Sequence, residues 1–506
     1  KEYRRQRQMC IRDRSISNAL QYISYYHSSD FIKAMTLAYR NEQSIPAKDA
    51  MLQILTNSKM SALGHRPMCQ DTGMVVAFIE VGMQVQWDSN QSIEEMVNKG
   101  VSHAYLNRDN PLRASMVSDP AGKRINTKDN TPAITHVKLV QGNKVTVSIA
   151  AKGGGSENKA QFAILNPSDS IVDWILEKIP QMGAGWCPPG VLGVGIGGSA
   201  EKAMLLAKEA LMKPIDIQDL INRGPNTRIE ELRIELYNKI NALGIGAQGY
   251  GGLTTVLDVK IQDYPSHAAS LPVAIIPNCA ATRHVHFELD GKGEADFVPP
   301  NLDLWPKESW SPHTNVKHID LQKITKEDIK NWKVGELLLL SGKLLTARDA
   351  AHKKIAKLLD SSEKLPVNFT NRFIYYVGPV DPILNEVTGP AGPTTANRMD
   401  QFLAMMYDLG IMGTIGKAER TEEAINEIKK HNSVYLSAVG GAAYLVSKAI
   451  TSSKVVAFPE LGMEAIYEFE VENMPVMVSV DEKGKSIFSE APKQWKNKSI
   501  PIREFS

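Results

Sequence analysis

Three cysteines stand in loops of one kind. Cys69 lies in "HRPMCQDTG" (His65–Gly73), just past a proline and followed by Gln70, Asp71, Thr72 and Gly73. Cys187 lies in "GAGWCPPGVLG", between glycine and two prolines, and Cys279 in "IIPNCAATRHVHF", beyond an apolar run and a proline. A buried structural thiol behaves as a small hydrophobe among apolar neighbours, and none of these has that setting. One reading is three unrelated free thiols; the other is shared ligation of a metal group. Structural zinc takes four ligands, usually from close C-x-x-C pairs, and the sequence has no such pair. A [4Fe–4S] cluster is normally held by four thiolates. With three, one iron stays open, and an open iron is a Lewis acid able to bind a substrate oxygen.

Glycine-rich segments lie close to these loops. "KGGGSENK" (Lys152–Lys159) places consecutive glycines before a helix, with backbone N–H groups free to face an anion. It also reads as a strand exit with a helix cap at Ser156. In "GVGIGGSAEKA", Gly193, Gly195 and Gly198 fit G-x-G-x-x-G. That spacing binds a dinucleotide only at a strand-to-helix turn within a βαβ unit. The segment follows "WCPPG", no clean strand–helix–strand surrounds it, and its glycines are expected to let backbone pack around the thiol site. An NAD-dependent dehydrogenase therefore stays as a distant alternative. His284 and His286 alternate along a strand and, with no third histidine nearby, read as structural support.

The 506 residues are long enough for two or three domains, and 43% hydrophobic with 23% charged residues is ordinary for a globular chain. Lys and Arg number 58 against 56 Asp and Glu, a net charge of +2 that predicts no nucleic-acid footprint. No apolar run approaches the ~20 residues needed to span a bilayer. Four cysteines are too few for a disulfide framework and fit a reducing compartment. Cys10 falls in the basic stretch "KEYRRQRQMCIRDR", which lacks the apolar core of a secretory signal. Residues 1–15 are expected to be a disordered tail or an artefact, with a targeting segment as the alternative.

Helices are expected at Ile16–Tyr26, Asp30–Asn41 and Ala47–Leu63, then a buried strand at Met74–Met83. "ITHVKLVQGNKVTVSIAAK" (Ile134–Lys152) reads as a hairpin turning at Gly142-Asn143. Helices near Ser199–Met212 and Arg228–Leu243 and strands near Thr254–Gln262 and Val273–Ile276 follow. The Trp- and Pro-rich stretch around 291–330 reads as a linker, and beyond it strands and helices alternate. The expected fold is an α+β N-terminal domain (16–290) that carries the thiol site, and a smaller α/β C-terminal domain (331–506).

The ordered motifs "CQDTG", "NPLRAS", "KGGGSENK", "CPPGVLGVGIGGSAEKA", "NCAATRHVHFELDG", "LSGKLLTARDAAHK", "YVGPVDP", "GPAGPTTANRMD" and "GTIGK" resemble those of the iron–sulfur-dependent class I fumarases. The resemblance covers nearly the whole chain from about residue 30. It implies a hydro-lyase that interconverts fumarate and (S)-malate at the open iron of a [4Fe–4S] cluster held by Cys69, Cys187 and Cys279. It implies a homodimer, with a swivelling-type C-terminal domain closing over the cluster. It assigns proton transfer to Asp71 and Thr394 with His267 in support, and substrate contacts to Gln70, Arg113, Gly155, Arg348, Arg398 and Lys417.

The residue chemistry agrees with a dicarboxylate, since the planar arginine fork pairs with both carboxylate oxygens. Arg113, Arg348 and Arg398 each lie in a turn or helix-start setting, and Lys417 follows Gly416 in a similar place. Thr394, in "PTT", also suits a helix N-cap, and His267, in "YPSHAAS", also suits a structural role. Mesaconases and tartrate dehydratases share several of these motifs, so their substrates remain alternatives. A non-catalytic cluster protein, such as a sensor or nucleic-acid binder, is disfavoured by the even charge balance. The expected compartment is cytoplasmic, or mitochondrial if the basic N-terminus is a targeting segment.

Overall fold

The computed structural model describes residues 2–87, 90–312 and 316–498, with side chains from residue 14 onward. Helix α1 (Glu2–Tyr25) starts well before the expected Ile16 and runs through the stretch expected to be a tail. α2 (Ser29–Asn41) buries Phe31, Ile32, Met35 and Ala38, one face at helical spacing. α3 (Ile45–Gly64) is buried on most sides and ends at His65, whose left-handed backbone (φ 49°) turns the chain into the Cys69 loop.

Among its described residues the N-terminal half holds ten strands: β1 (Met74–Gly82), β2 (Val117–Ser118), β3 (Ile125–Asn126), β4 (Ile134–Val140), β5 (Val145–Lys152), β6 (Gln161–Leu165), β7 (Gly190–Gly197), β8 (Val256–Tyr264), β9 (Leu271–Asn278) and β10 (His284–Leu289). Two four-stranded sheets result, ordered β10-β5-β1-β4 and β6-β9-β7-β8. The expected hairpin is not one. β1 inserts between its two strands, parallel to β4 and antiparallel to β5. The Gly142–Lys144 turn caps the end of β1 instead, with Gly82 N–H donating to the Lys144 carbonyl and Gln84 N–H to the Gly142 carbonyl, both at 2.9 Å. α1 covers this sheet, setting Ile16, Ala19, Leu20 and Ile23 against Val75, Ala77 and Ile79.

β7, the helix Ala200–Ala210 and the parallel strand β8 do form a crossover, contrary to the sequence reading. Gly193 and Gly195 lie within β7, not at the turn that follows it. A Cβ on Gly193 would overlap the Ala207 carbonyl, and one on Gly195 the Ala203 carbonyl. These glycines therefore bring a helix close to a strand. They neither wrap the thiol site nor cradle a phosphate.

The C-terminal half adds β11 (Lys317–Asp320), β12 (Leu337–Thr346), β13 (Phe373–Tyr375), β14 (Gly413–Gly416), β15 (Val434–Ser437), β16 (Ile450–Ala457) and β17 (Ile466–Val480). They order as β11-β12-β13-β14-β15-β17-β16, and β17 pairs back with β12, closing the sheet on itself. Residues of β12 alternate between two cores: Leu338, Leu340 and Leu344 face the interior of the closed sheet, whereas Leu345 packs under the outer helices with Ile355 and Met399. The stretch expected as a linker joins this unit from Lys317 onward, with Ile319, Leu321 and Ile329 in its core. Upstream, the Trp305 and Trp310 indoles donate to Ser58 and Asp49 on α3, both at 3.0 Å. No helix among the described residues is long and apolar enough to cross a membrane.

Candidate active site

Two of the cysteines share a sheet end. Cys187 precedes β7 and Cys279 follows β9, and the two strands run antiparallel with Val191 opposite Asn278. Cys187 has a left-handed backbone (φ 58°), and its carbonyl accepts from Ala280 N–H at 3.0 Å, which joins the two loops. The Cys69 loop packs alongside, with Met68, Cys69, Cys279 and Ala281 in one cluster. All three thiols are free. Burial pushes the Cys69 thiol up to about 11 and raises that of Cys187.

Amide side chains tie these loops to the other half of the chain. The fully buried Asn57 of α3 donates to the Met68 and Gly441 carbonyls, both at 3.0 Å. Its carbonyl oxygen accepts from Tyr444 N–H at 2.8 Å and Leu445 N–H at 2.9 Å. Gln248 accepts from Gly440 N–H at 2.8 Å and donates to the Pro188 carbonyl at 3.1 Å. Gln70 donates to the Pro393 carbonyl at 3.1 Å.

Into this group reaches Lys417, at the end of β14, with Nζ 2.8 Å from the Cys187 sulfur. Burial works against its charge, while Cys187, Cys69 and Cys279, when ionised, pull its pKa the other way. A Cβ on Gly155 would stand 3.2 Å from that Nζ and 2.9 Å from the Gly185 carbonyl, so only glycine leaves this space open. Among the described residues, no three His, Cys, Asp or Glu side chains are placed to hold a single metal ion.

Asp71 lies where the thiols meet the arginines. Its carboxylate accepts from Gly154 N–H at 2.8 Å and from Gly73 N–H at 3.2 Å, so the glycine-rich segment turns at least one N–H toward an anion of the chain itself. Burial works against its charge, yet Arg113, Arg283, the Gly154 N–H and Lys417 keep the carboxyl below its usual value. Arg283 was missed from sequence. It donates to the Asp71 backbone carbonyl at 2.7 Å and to that of Ala281 at 3.1 Å, bracing the first cysteine loop against the third. The available signal was an arginine four residues past Cys279.

Arg113 Nη2 is 3.8 Å from Asp71, and Nη1 donates to the Gly378 carbonyl at 2.5 Å. Arg348 is pushed down to about 10 by burial and by the charges of Arg113 and Arg398, with Glu464 opposing at 3.3 Å. The Nε atoms of Arg113 and Arg348 are buried with no hydrogen-bond partner. Arg398 is more exposed and pairs with Asp349. Thr394 is buried, its N–H donating to the Tyr376 carbonyl at 2.7 Å and its carbonyl accepting from Lys417 N–H at 3.1 Å. The cap position of the following helical turn belongs to Thr395, so Thr394 is not its N-cap.

His267 is not brought to this group. It lies exposed in the β8–β9 connection, at the end of the sheet where Gly197 pairs with Tyr264. Cys187 and Cys279 leave the opposite end, and the eight residues of β7 between the two ends span about 25 Å.

The family model for fumarate hydratase matches residues 13–288, and the one for the fumarase C-terminus matches residues 291–491. The anaerobic class I fumarate hydratase of Escherichia coli is 32% identical over 471 residues, covering 89% of this chain and 84% of that one. A putative class I fumarate hydratase of Geobacillus stearothermophilus is 30% identical, covering 92% and 93%. A putative L(+)-tartrate dehydratase alpha subunit of Methanocaldococcus jannaschii is 36% identical over 276 residues, covering 53% of this chain and 94% of its own. By both family models and these relatives, the chain belongs to the class I fumarate hydratase family.

Proposed function

We propose that the chain is a hydro-lyase that hydrates fumarate to (S)-malate and reverses the reaction, at a site between its two halves. The observation that carries this reading is the juxtaposition of Arg113 and Arg348, each with an open Nε donor, beside Asp71 and three free thiols. Three free thiols facing one ammonium suit a cluster ligated by thiolates. Cys69, Cys187 and Cys279 would hold it, and when bound it supplies an open Lewis-acid iron for the hydroxyl and one carboxylate.

The rest is the work of the chain. Arg113 and Arg348 grip carboxylate, and their charge stabilises the enediolate-like state formed when the neighbouring C–H proton leaves. Arg398 supplies a further cation from the more exposed side, and Gln70, Gly155 and Lys417 border the thiol end. Asp71, ionised and two residues from Cys69, exchanges the proton of the arriving or departing water at its carboxylate oxygen. Thr394 is then left with the carbon-bound proton, a task that demands strong activation of its hydroxyl. The same reading carries a homodimer, with His267 in support, a cytoplasmic setting that keeps thiols reduced, and a swivelling C-terminal domain that closes on substrate. It divides the chain into a cluster domain at 16–290 and a smaller domain at 331–506, joined by 291–330.

The test is purification without air, followed by assay on fumarate, malate, mesaconate and tartrate. About four irons per chain are expected, as one cubane requires, with fumarate and malate turned over fastest. An iron-free enzyme of full activity overturns the cluster. Preference for tartrate, toward which the Methanocaldococcus relative points, overturns the substrate.

A further inference from the structure

Arg113 comes from the loop after the helix Ile93–Tyr105, and Arg348 from the end of β12 in the other half. They meet on Gly378, the glycine of "YVGPVDP", to which the resemblance assigns no role. Gly378 lies just beyond β13, and its carbonyl accepts from Arg113 Nη1 at 2.5 Å. Its other side is covered by Arg348, packed so close that a Cβ there would overlap Nη1 and lie 3.3 Å from Cδ and 3.4 Å from Cζ. Gly378 is not among the positive-φ glycines, so its backbone makes no demand for glycine. The demand is for space. The residues before it hold the catalytic segment in register: Val377 bridges to Pro393, and the Tyr376 carbonyl accepts from Thr394 N–H.

We propose that Gly378 is a positioning residue, the seat that sets how the Arg113 and Arg348 guanidinium groups are spaced for a dicarboxylate. It holds one by its carbonyl and leaves room for the other over its Cα. Two like charges brought to one small residue repel each other, so a spacing this tight needs a fixed seat and an anion to fill it. The proposal rests on the reading of these arginines as carboxylate clamps.

The test is Gly378→Ala, prepared anaerobically beside Arg348→Ala. The first atoms the new methyl meets belong to a flexible side chain, so the fold gives way there and the melting temperature is expected to stay near the parent's. KM for malate and fumarate is expected to rise about ten- to a hundred-fold, the size of one charge-assisted hydrogen bond, with kcat falling less. If Gly378→Ala unfolds, calorimetric binding of succinate to the double variant with Arg348→Ala decides. There the three atoms nearest the methyl are gone, so the double variant is expected to fold and to bind as Arg348→Ala does. Arg348→Ala with unchanged KM overturns the clamp reading itself. Arg348→Ala with raised KM, beside Gly378→Ala with KM within two-fold of the parent, overturns the seat alone, as does an additive double variant.

Discussion

The thiol side and the arginine side of the site balance their polar groups differently. Around the cysteines, neutral amides do much of the bridging between halves, and they are well supplied with partners: Asn57 makes four hydrogen bonds to backbone groups and Gln248 donates and accepts. On the arginine side, guanidinium groups face Glu464, Asp349 and Asp71, and two buried Nε donors lack partners. A saturated amide network fixes geometry whatever is bound. Buried guanidinium donors left without partners are completed by an arriving anion. The first arrangement suits a permanent group held between loops, the second a substrate that comes and goes.

Asp71 belongs to both sides, through its backbone to the thiol loops and through its carboxylate to Arg113. Asp71→Asn keeps shape and removes charge, so it probes where the two sides meet. If Asp71 transfers a proton, kcat is expected to fall by ~10²–10⁴-fold, with iron content and melting temperature unchanged. Iron loss in step with activity would instead assign Asp71 to holding the thiol loop, and the division between the two sides would blur.

The amide pins predict a smaller, different effect. Asn57→Ala takes the hydrogen-bond partner from three buried backbone groups, the Gly441 carbonyl and the Tyr444 and Leu445 N–H groups, while the Met68 carbonyl keeps the Ala443 N–H. Each unsatisfied group costs about 1–3 kcal/mol, less what shared relaxation returns, so a loss of about 3 kcal/mol in stability is expected by denaturant titration. Iron retention should fall with it while KM of the surviving enzyme stays near the parent value. A raised KM with full stability would show that the amides serve the arginine side after all.

Much of the thiol side was legible because its signals are local. Proline, glycine and amide neighbours mark Cys69, Cys187 and Cys279 as loop thiols without any knowledge of the fold. Arg113 and Arg348 stand out in sequence for the same reason, each in a turn or helix-start setting. What escaped depends on pairing across long separations. The turn at Gly142-Asn143 is a local feature, but whether its flanking strands pair or straddle a third is decided by β1, some sixty residues earlier in the chain. The spacing of Gly193, Gly195 and Gly198 matched a phosphate-binding turn, yet their place inside β7 turns two of them into a groove for a helix. Arg283, Asn57 and Gln248 are ordinary polar residues in sequence, and only the fold gives them partners: Arg283 reaches Asp71 in its own half, and Asn57 and Gln248 reach Tyr444 and Gly440 in the other.

The smallest effect on the fold is expected at His267, which stands outside the comparison. Its ring is exposed, and the polar contact it makes is within its own loop, accepting from Ala269 N–H at 3.2 Å. An exposed side chain without a cap, a buried partner or a strained backbone costs within about 0.5 kcal/mol when replaced, so His267→Ala is expected to melt with the parent. Within one chain it lies a sheet's length from the cysteines and cannot reach Asp71 or Thr394. Any role in turnover must therefore act between two copies of the chain, and the proposed homodimer makes that measurable. His267→Ala is expected to lower kcat without changing iron content, and dilution that dissociates parent dimers should lower it in the same way. Parent-like kcat in His267→Ala, with activity independent of dilution, would leave the thiol and arginine sides as the complete site within a single chain.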